Sequence, residues 1–192
     1  MEPNFFDNKA RILKDDLVAR LRSGDRISIA AAYFSIYGYR ELRDQLEGCE
    51  SLRFLYTEPT FLKEGQDKAA REFYIPRLGR ERGVYGTDLE IRLRNEMTQR
   101  AVARECADWI RGKAEFRSLA PNQGPMQPFM AVENGEGSYV YAPFDGLTAP
   151  AIGAAPGSSQ FTFIVRNEAP VSTELLQLFD QAWGMTRAPW RT

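Results

Sequence analysis

The pattern that most constrains the fold is a buried strand, a capped helix and a second buried strand in succession. The run Arg26–Phe34 is too continuously apolar for a strand with a solvent face and too short for a helix. We therefore expect a buried strand that lies parallel to its neighbours. Ser35 can cap a helix that continues to Glu47, and Leu52–Thr57 is the second strand. This βαβ unit predicts an α/β domain with a mixed sheet flanked by helices.

Helical spacing, strand-like runs and turn residues predict the other elements. A first helix is expected over Asn8–Arg22, capped by Asp7 or Asn8, and Asn134–Gly137 is a hairpin signal. The remaining predictions are a helix over Thr87–Gly112, strands over Ala114–Leu119, Gln127–Glu133, Ser138–Tyr141 and Gln160–Val165, and a closing helix capped by Ser172. Gly146–Gly157 is expected to be the least structured part. We expect one domain over residues 1–185 and a tail or linker over 186–192.

Three helices carry apolar side chains at helical spacing, which predicts their buried faces. The expected inward-facing side chains are Tyr39, Leu42 and Leu46 in the second helix, Leu89, Leu93, Met97, Ala101 and Trp109 in the long helix, and Leu175, Leu176, Leu178, Phe179 and Trp183 in the closing helix.

Composition limits the chemistry of the chain. Its 192 residues include no histidine, and the two cysteines, Cys49 and Cys106, lie outside any paired motif, so the usual zinc frameworks are excluded and no cofactor is expected. The net charge of -1 gives the chain as a whole no polycation character. No signal-peptide pattern opens the chain, and no stretch approaches the roughly 18 apolar residues of a membrane span. We expect a cytoplasmic protein with reduced thiols and no membrane partner.

Arginine dominates the basic residues, with 20 of 25, and is concentrated in the middle of the chain. The cluster consists of Arg71, Arg77, Arg80 and Arg82 in a loop broken by glycine and proline, and Arg92 and Arg94 at the start of the long helix. Guanidinium groups suit sequence-independent contacts to phosphates, which predicts a nucleic-acid-binding surface here. Acidic neighbours such as Glu72 and Glu81 leave surface ion pairing as the alternative.

Several segments together resemble a phospholipase-D-like domain. They are Phe5-Phe6-Asp7-Asn8, the strand Ile27–Phe34 running into Ser35-Ile36-Tyr37-Gly38, the strand Leu52–Thr57, and Gly157-Ser158-Ser159-Gln160-Phe161-Thr162, which is similar to the Gly-Ser-Ser-Asn-Phe-Thr segment of that superfamily. The stretches 57–61, 85–95 and 105–110 resemble the branch that is fused ahead of Swi/Snf-type helicases in bacteria and archaea. The similarity covers most of the chain.

The chain departs from this family at the catalytic motif. Active members carry His-x-Lys-x4-Asp, in which histidine attacks phosphorus and lysine holds the phosphate oxygens. Here Gln127 stands in the place of the histidine and Phe129 in the place of the lysine. Neither an amide nor a phenyl ring can perform these steps, so the resemblance implies a fold without a catalytic residue of the phospholipase-D type.

The resemblance also implies a role and partners. We expect a non-catalytic domain that binds DNA, or that docks a helicase or nuclease in cis or in trans, in prokaryotic DNA processing or phage defence. Active relatives with one motif per chain form their site across a dimer, which implies a homodimer. The small residues Gly157, Ser158 and Ser159 would offer N–H and hydroxyl donors to a phosphate, although a polar turn before a strand is the simpler explanation.

Other functions stay open at this point. A nuclease could use carboxylates and a divalent ion instead of histidine, with Glu58, Asp88, Glu90 and Glu96 as ligands. A second candidate, an acid–base pair, would combine Glu58 and Glu96 with Arg92 and Gln99, although a solvated helix face with ion pairs is a far more common arrangement. A third alternative is a pure protein-interaction module. Tyr33, Tyr37, Tyr39, Tyr56, Tyr74 and Tyr85 are candidates for base stacking, but most are expected in the core or at the sheet edge.

Overall fold

The computed structural model describes residues 4–57, 88–119, 126–155 and 163–186, with residues 88–98 described by their backbone alone. Within these ranges the strands are β1 (Phe5–Phe6), β2 (Arg26–Ala31), β3 (Tyr33–Phe34), β4 (Ser51–Tyr56), β5 (Ala114–Ser118), β6 (Phe129–Asn134), β7 (Gly137–Ala142), β8 (Gly146–Leu147) and β9 (Ile164–Glu168). Seven of them form one sheet in the order β1-β9-β7-β6-β2-β4-β5, and β3 pairs with β8. The strands β2, β4 and β5 run parallel, and the other neighbours in the large sheet are antiparallel.

Helices cover both faces of this sheet, which confirms the predicted α/β class and mixed sheet. They are α1 (Leu13–Arg20), α2 (Ile36–Glu41), α3 (Arg43–Gly48), α4 (Asp88–Lys113) and α5 (Val171–Met185). The first four contribute to one apolar core, and α5 packs on the opposite face in a second core. None of the helices in the described ranges combines the length and the apolar composition needed to cross a bilayer.

The βαβ unit forms with two changes. Strand β2 is parallel to β4 but antiparallel to β6, so the expectation of parallel neighbours is wrong on one side. Ser35 caps α2 as predicted, because its Oγ accepts a hydrogen bond from the Gly38 amide at 3.1 Å. The predicted single helix breaks at Leu42, whose φ of -122° and ψ of 20° leave the helical region, and α3 begins at the next residue. The predicted inward-facing residues Tyr39, Leu42 and Leu46 are fully buried.

Helix α1 begins later than predicted, because the two expected cap residues build a turn ahead of it. Oδ1 of Asp7 accepts the amides of residues 9, 10 and 11 at 2.9–3.0 Å, and these backbone hydrogen bonds lower the pKa of that carboxyl. Asn8 has a positive φ of 54°, and its Oδ1 accepts the Leu13 amide. The turn therefore delays the helix to Leu13.

The stretch predicted as least structured contributes to the core instead. In Gly146–Gly157, the described part forms β8 and buries Leu147, Ala149 and Ile152. The Ile152 carbonyl accepts the Lys14 amide at 2.9 Å, and so it fixes this segment against α1. The small residues of this segment allow the close packing. From the sequence pattern alone, the same residues predict a loop without regular structure.

Close packing also makes glycine necessary at position 38. A Cβ there would overlap the Leu147 backbone carbonyl, so we expect Gly38→Ala to lower the free energy of unfolding by roughly 1–3 kcal/mol. The matched control is Gly112→Ala in α4, where a Cβ meets open space and should stabilise the protein by about 0.4–1 kcal/mol. Urea unfolding of both variants measures the difference. Equal stabilities would contradict the close approach of α2 to β8.

The predictions for the carboxyl-terminal half hold in part. The hairpin is confirmed, since β6 and β7 pair from Asn134 and Gly137 outward and Oδ1 of Asn134 accepts the amides of the turn. The last strand lies at β9, a few residues later than predicted. Ser172 does not cap α5, because Pro170 occupies the N-cap position and the buried Ser172 hydroxyl lies 2.8 Å from the Ser138 hydroxyl.

The predicted burial of the helix faces also needs two corrections. Leu176, Phe179 and Trp183 are buried as predicted, but Leu178 is 52% exposed because it lies on the opposite side of α5 from the sheet. In the described side chains of α4, Trp109 is buried and Ala101 is exposed. Leu89, Leu93 and Met97 lie outside the described side chains.

Candidate nucleic-acid interface

The carboxyl ends of the parallel strands meet at one edge of the sheet, which we call the carboxyl edge. Backbone hydrogen bonds tie the segments together there. The Thr57 amide donates to Ala31 at 3.1 Å, the Ala32 amide donates to Asp145 at 3.1 Å, and the Phe144 amide donates to Pro128 at 3.0 Å. Strand β6 runs antiparallel to β2, so its first residues lie at this same edge. In open α/β sheets this edge is where ligands bind.

Phe129 begins strand β6 and Gln127 lies just before it, and the side chains of these two residues, which the resemblance aligns with the catalytic pair, differ in environment. Gln127 is exposed just before the strand begins. Phe129 is 1% exposed, and its ring lies 6.2 Å from that of Phe179 in an edge-on contact beneath α5. Phe129 is therefore a core side chain, while Gln127 is open to solvent at the carboxyl edge. Neither residue supplies a nucleophile or a positive charge.

Of the tyrosines expected in the core or at the sheet edge, some are buried and others are exposed. Tyr33 is 63% exposed at the carboxyl edge, held there because β3 pairs with β8. Tyr37 is half-buried, with the Arg40 guanidinium 5.4 Å from its ring centroid. Tyr39 is fully buried against Trp109. Tyr33 therefore has the most accessible ring of these, and Tyr74 and Tyr85 lie outside the described residues.

Most of the predicted phosphate-binding residues lie outside the described residues. These are Arg71, Arg77, Arg80 and Arg82 together with Ser158 and Ser159. Arg92 and Arg94 lie on the α4 backbone, and their side chains are outside the description. In the described side chains that follow, Arg111 pairs with Asp108 at 2.7 Å and Arg117 pairs with Glu115 at 2.7 Å. These two arginines, which lie outside the predicted cluster, are engaged in ion pairs.

The carboxylates proposed as metal ligands or as an acid–base pair also lie largely outside the described side chains. Glu58 lies outside the described residues, and Asp88, Glu90, Arg92 and Glu96 are described only by the backbone of α4. Gln99 is exposed on that helix. Across the described ranges, no group of three or more histidine, cysteine, aspartate or glutamate side chains could hold a metal ion.

The two cysteines are buried as free thiols, and burial raises the pKa of both. For Cys106 the pKa rises to about 11. A thiol is nucleophilic as its thiolate, so both groups are held in their unreactive protonated form at neutral pH. Their environment is that of core side chains.

A buried ion pair on the α1 face was not predicted from the sequence. Arg166 on β9 is 6% exposed, and its Nη1 lies 2.7 and 2.8 Å from the two carboxylate oxygens of Asp16 on α1. Tyr141 donates its hydroxyl proton to Asp16 at 2.7 Å, and burial followed by the Asp16 charge raises the pKa of Tyr141. The pair joins residues 150 positions apart, so no local pattern could have indicated it.

Buried tyrosines predict a loss of stability at alkaline pH. Burial among Phe54 and Phe116 raises the pKa of Tyr56 to about 12, whereas an unfolded tyrosine loses its proton near pH 10. The unfolded state therefore releases a proton that the folded state retains, and stability should fall as pH rises from about 10 to 12. Urea unfolding from pH 8 to 11.5 measures this, and Tyr56→Phe should reduce the slope. A slope equal in both proteins would contradict the assignment.

No protein-family model matches the chain, and no curated protein matches it.

Proposed function

We propose that this protein is a non-catalytic, phospholipase-D-like domain that binds DNA through its phosphates in prokaryotic DNA processing or phage defence. The observation that carries the proposal is the environment of β6. Phe129 fills the core where a phosphate-binding lysine would stand, and Gln127 replaces the nucleophile at an open edge. With no histidine in the chain, histidine-dependent phosphodiester cleavage is excluded.

Charge and connectivity support binding at the carboxyl edge. Arg77, Arg80 and Arg82 belong to the chain segment that follows β4, and β4 ends at this edge. The edge also presents the exposed ring of Tyr33, and an aromatic face can stack on any base of a single strand. Guanidinium contacts to phosphates would supply the affinity without reading the sequence.

The test is the salt dependence of DNA binding. We expect Arg77→Ala, Arg80→Ala and Arg82→Ala combined to lower the slope of log affinity against log salt by about 0.9 for each phosphate that is no longer neutralised. The matched control replaces Arg22, Arg26 and Arg111 with alanine. These residues are exposed at the edge of the sheet opposite the carboxyl edge, and their replacement removes the same amount of charge. Fluorescence anisotropy with single- and double-stranded oligonucleotides measures the affinity of both triple variants between 50 and 200 mM salt. Over this range the affinity of a protein with about 6–10 phosphate contacts changes strongly. Absence of salt-sensitive binding, or equal losses in the two variants, would contradict the proposal.

Docking of a helicase or nuclease partner is the second candidate. It is favoured by a row of exposed apolar side chains on α5, spaced seven residues apart at Val171, Leu178 and Met185. A domain with this role alone would show no affinity for DNA at any salt concentration. The same anisotropy series therefore separates the two candidates.

A further inference from the structure

Strand β5 lies at the edge of the sheet and pairs only with β4 in the described part of the chain. All five of its residues are half-exposed, whereas Leu52, Phe54 and Leu55 of β4 are buried. An edge strand presents backbone N–H and C=O groups that can pair with another strand.

The direction of these groups follows from one hydrogen bond. The Leu119 amide donates to the Tyr56 carbonyl at 3.2 Å, so it faces β4. Successive backbone amides of a strand point to alternate sides, and those of Glu115 and Arg117 therefore also face β4. The N–H and C=O groups of Ala114, Phe116 and Ser118 face away from the sheet.

We propose that β5 pairs antiparallel with β5 of a second copy of this chain, about a two-fold axis at Phe116. In this register, the outward groups of Ala114 face those of Ser118 of the partner subunit, and Phe116 faces its own symmetry mate. Each of these pairs exchanges two backbone hydrogen bonds. The outward-facing groups of the strand are all used, and the two sheets become continuous.

Charge complementarity supports a second copy as the occupant. The same two-fold places Glu115 opposite Arg117 of the partner subunit, and Arg117 opposite Glu115 of the partner subunit, at the closely spaced positions of the ladder. Charges of one sign on an edge strand would repel a second copy. Strand β5 carries one negative and one positive side chain, and the two-fold axis places each opposite the other.

Arg117 is already held in place for this contact. Its guanidinium donates to Oε1 of Glu115 in the same chain at 2.7 and 2.9 Å, to the Trp183 carbonyl at 3.1 Å and to Oγ1 of Thr186 at 3.3 Å, and it lies 4.3 Å from the Trp183 ring centroid. The partner subunit's charges would therefore extend an ion pair that is already formed within each chain. Pairing therefore restricts the side chain little further. This interface differs from the dimer that the family resemblance implies, because β5 lies three strands away from β6. The inference does not depend on DNA binding.

Two opposite charge reversals test the interface. Glu115→Arg and Arg117→Glu each place like charges opposite one another twice, so each variant alone should dimerise at least about tenfold more weakly than the unchanged protein. An equimolar mixture of the two variants should restore dimerisation, because every facing pair is then of opposite sign. Sedimentation equilibrium distinguishes the monomer of 21.8 kDa from a particle of twice that mass. Circular dichroism and thermal unfolding check that each variant folds.

A second measurement needs no substitution. In hydrogen exchange, the amides of Ala114, Phe116 and Ser118 should become more protected as the protein concentration rises, while the Glu115 and Arg117 amides should change little. A chain that stays at 21.8 kDa at high concentration would overturn the proposal. So would a dimer that both single reversals leave intact, a mixture no stronger than its components, or exchange that does not depend on concentration.

Discussion

Replacing Phe129 with lysine is expected to destabilise the protein by at least about 3 kcal/mol, which is a large fraction of the free energy of unfolding of an ordinary domain. The substitution removes a ring that is 1% exposed and packed against Phe179, and it buries an ammonium group in the core beneath α5. Burying a charge without a partner adds to the cost of removing the apolar ring. Replacing Gln127 with histidine should change the stability by no more than about 0.5 kcal/mol, because that side chain is exposed.

Urea unfolding of the two variants measures this contrast, with Phe129→Leu as a control for size alone at a cost of less than about 1.5 kcal/mol. If Phe129→Lys were as stable as the unchanged protein, the lysine side chain would have reached solvent. That result would contradict the burial of position 129 beneath α5. The expected result means that a lysine at this position cannot serve as a phosphate-binding group, because the position lies in the core.

Replacing Arg166 with methionine is expected to lower the free energy of unfolding by about 3 kcal/mol. The side chain of Arg166 is 5% exposed and that of Asp16 is 15% exposed, so the variant leaves a largely buried carboxylate without its main cation. Tyr141 still donates to that carboxylate, which limits the loss. Arg20, whose Nε lies 3.3 Å from Oδ1 of Asp16, remains as a more exposed cation, so the loss comes from leaving a largely buried carboxylate with this weaker ion pair alone.

The matched control for this prediction is Arg26→Met. Arg26 pairs with Glu133 at 3.2 Å, but its side chain is 57% exposed, so the loss should be below about 1 kcal/mol. Replacing Asp16 and Arg166 together with apolar residues should cost less than the sum of the two single changes, since the carboxylate and its main cation are removed together. Additive losses would show that the two side chains do not interact.

The parts of the fold that were predicted correctly depend on local patterns. The apolar runs of β2 and β4, the Ser35 cap and the Asn134–Gly137 turn each act over a few residues, and each is found where the pattern indicates. The errors occurred where distant contacts override a local preference. Asn8 was predicted as a helix cap but belongs to a turn and donates to the Ala151 carbonyl, and the stretch after Gly146 packs against α1 although its composition indicates a loop.

The candidate site was predictable only in part. That Gln127 and Phe129 stand in the place of a catalytic pair stays a prediction from the resemblance, and the burial of Phe129 depends on where α5 crosses the sheet. The Asp16–Arg166 pair could not be predicted, because α1 and β9 are brought together only by the tertiary fold. The orientation of the edge strand β5 likewise depends on sheet order, which no short motif specifies.

The central claim is that this protein binds DNA without cutting it, and the most direct measurement follows both properties in one sample. Labelled plasmid and single-stranded DNA are incubated with the protein in Mg²⁺, in Mn²⁺ or in a chelator, then analysed for retention on the protein and for strand breaks. We predict salt-sensitive retention of intact DNA under all three conditions. Metal-dependent cleavage that disappears in Glu58→Ala or Glu96→Ala would contradict the account and establish the carboxylate-dependent nuclease instead.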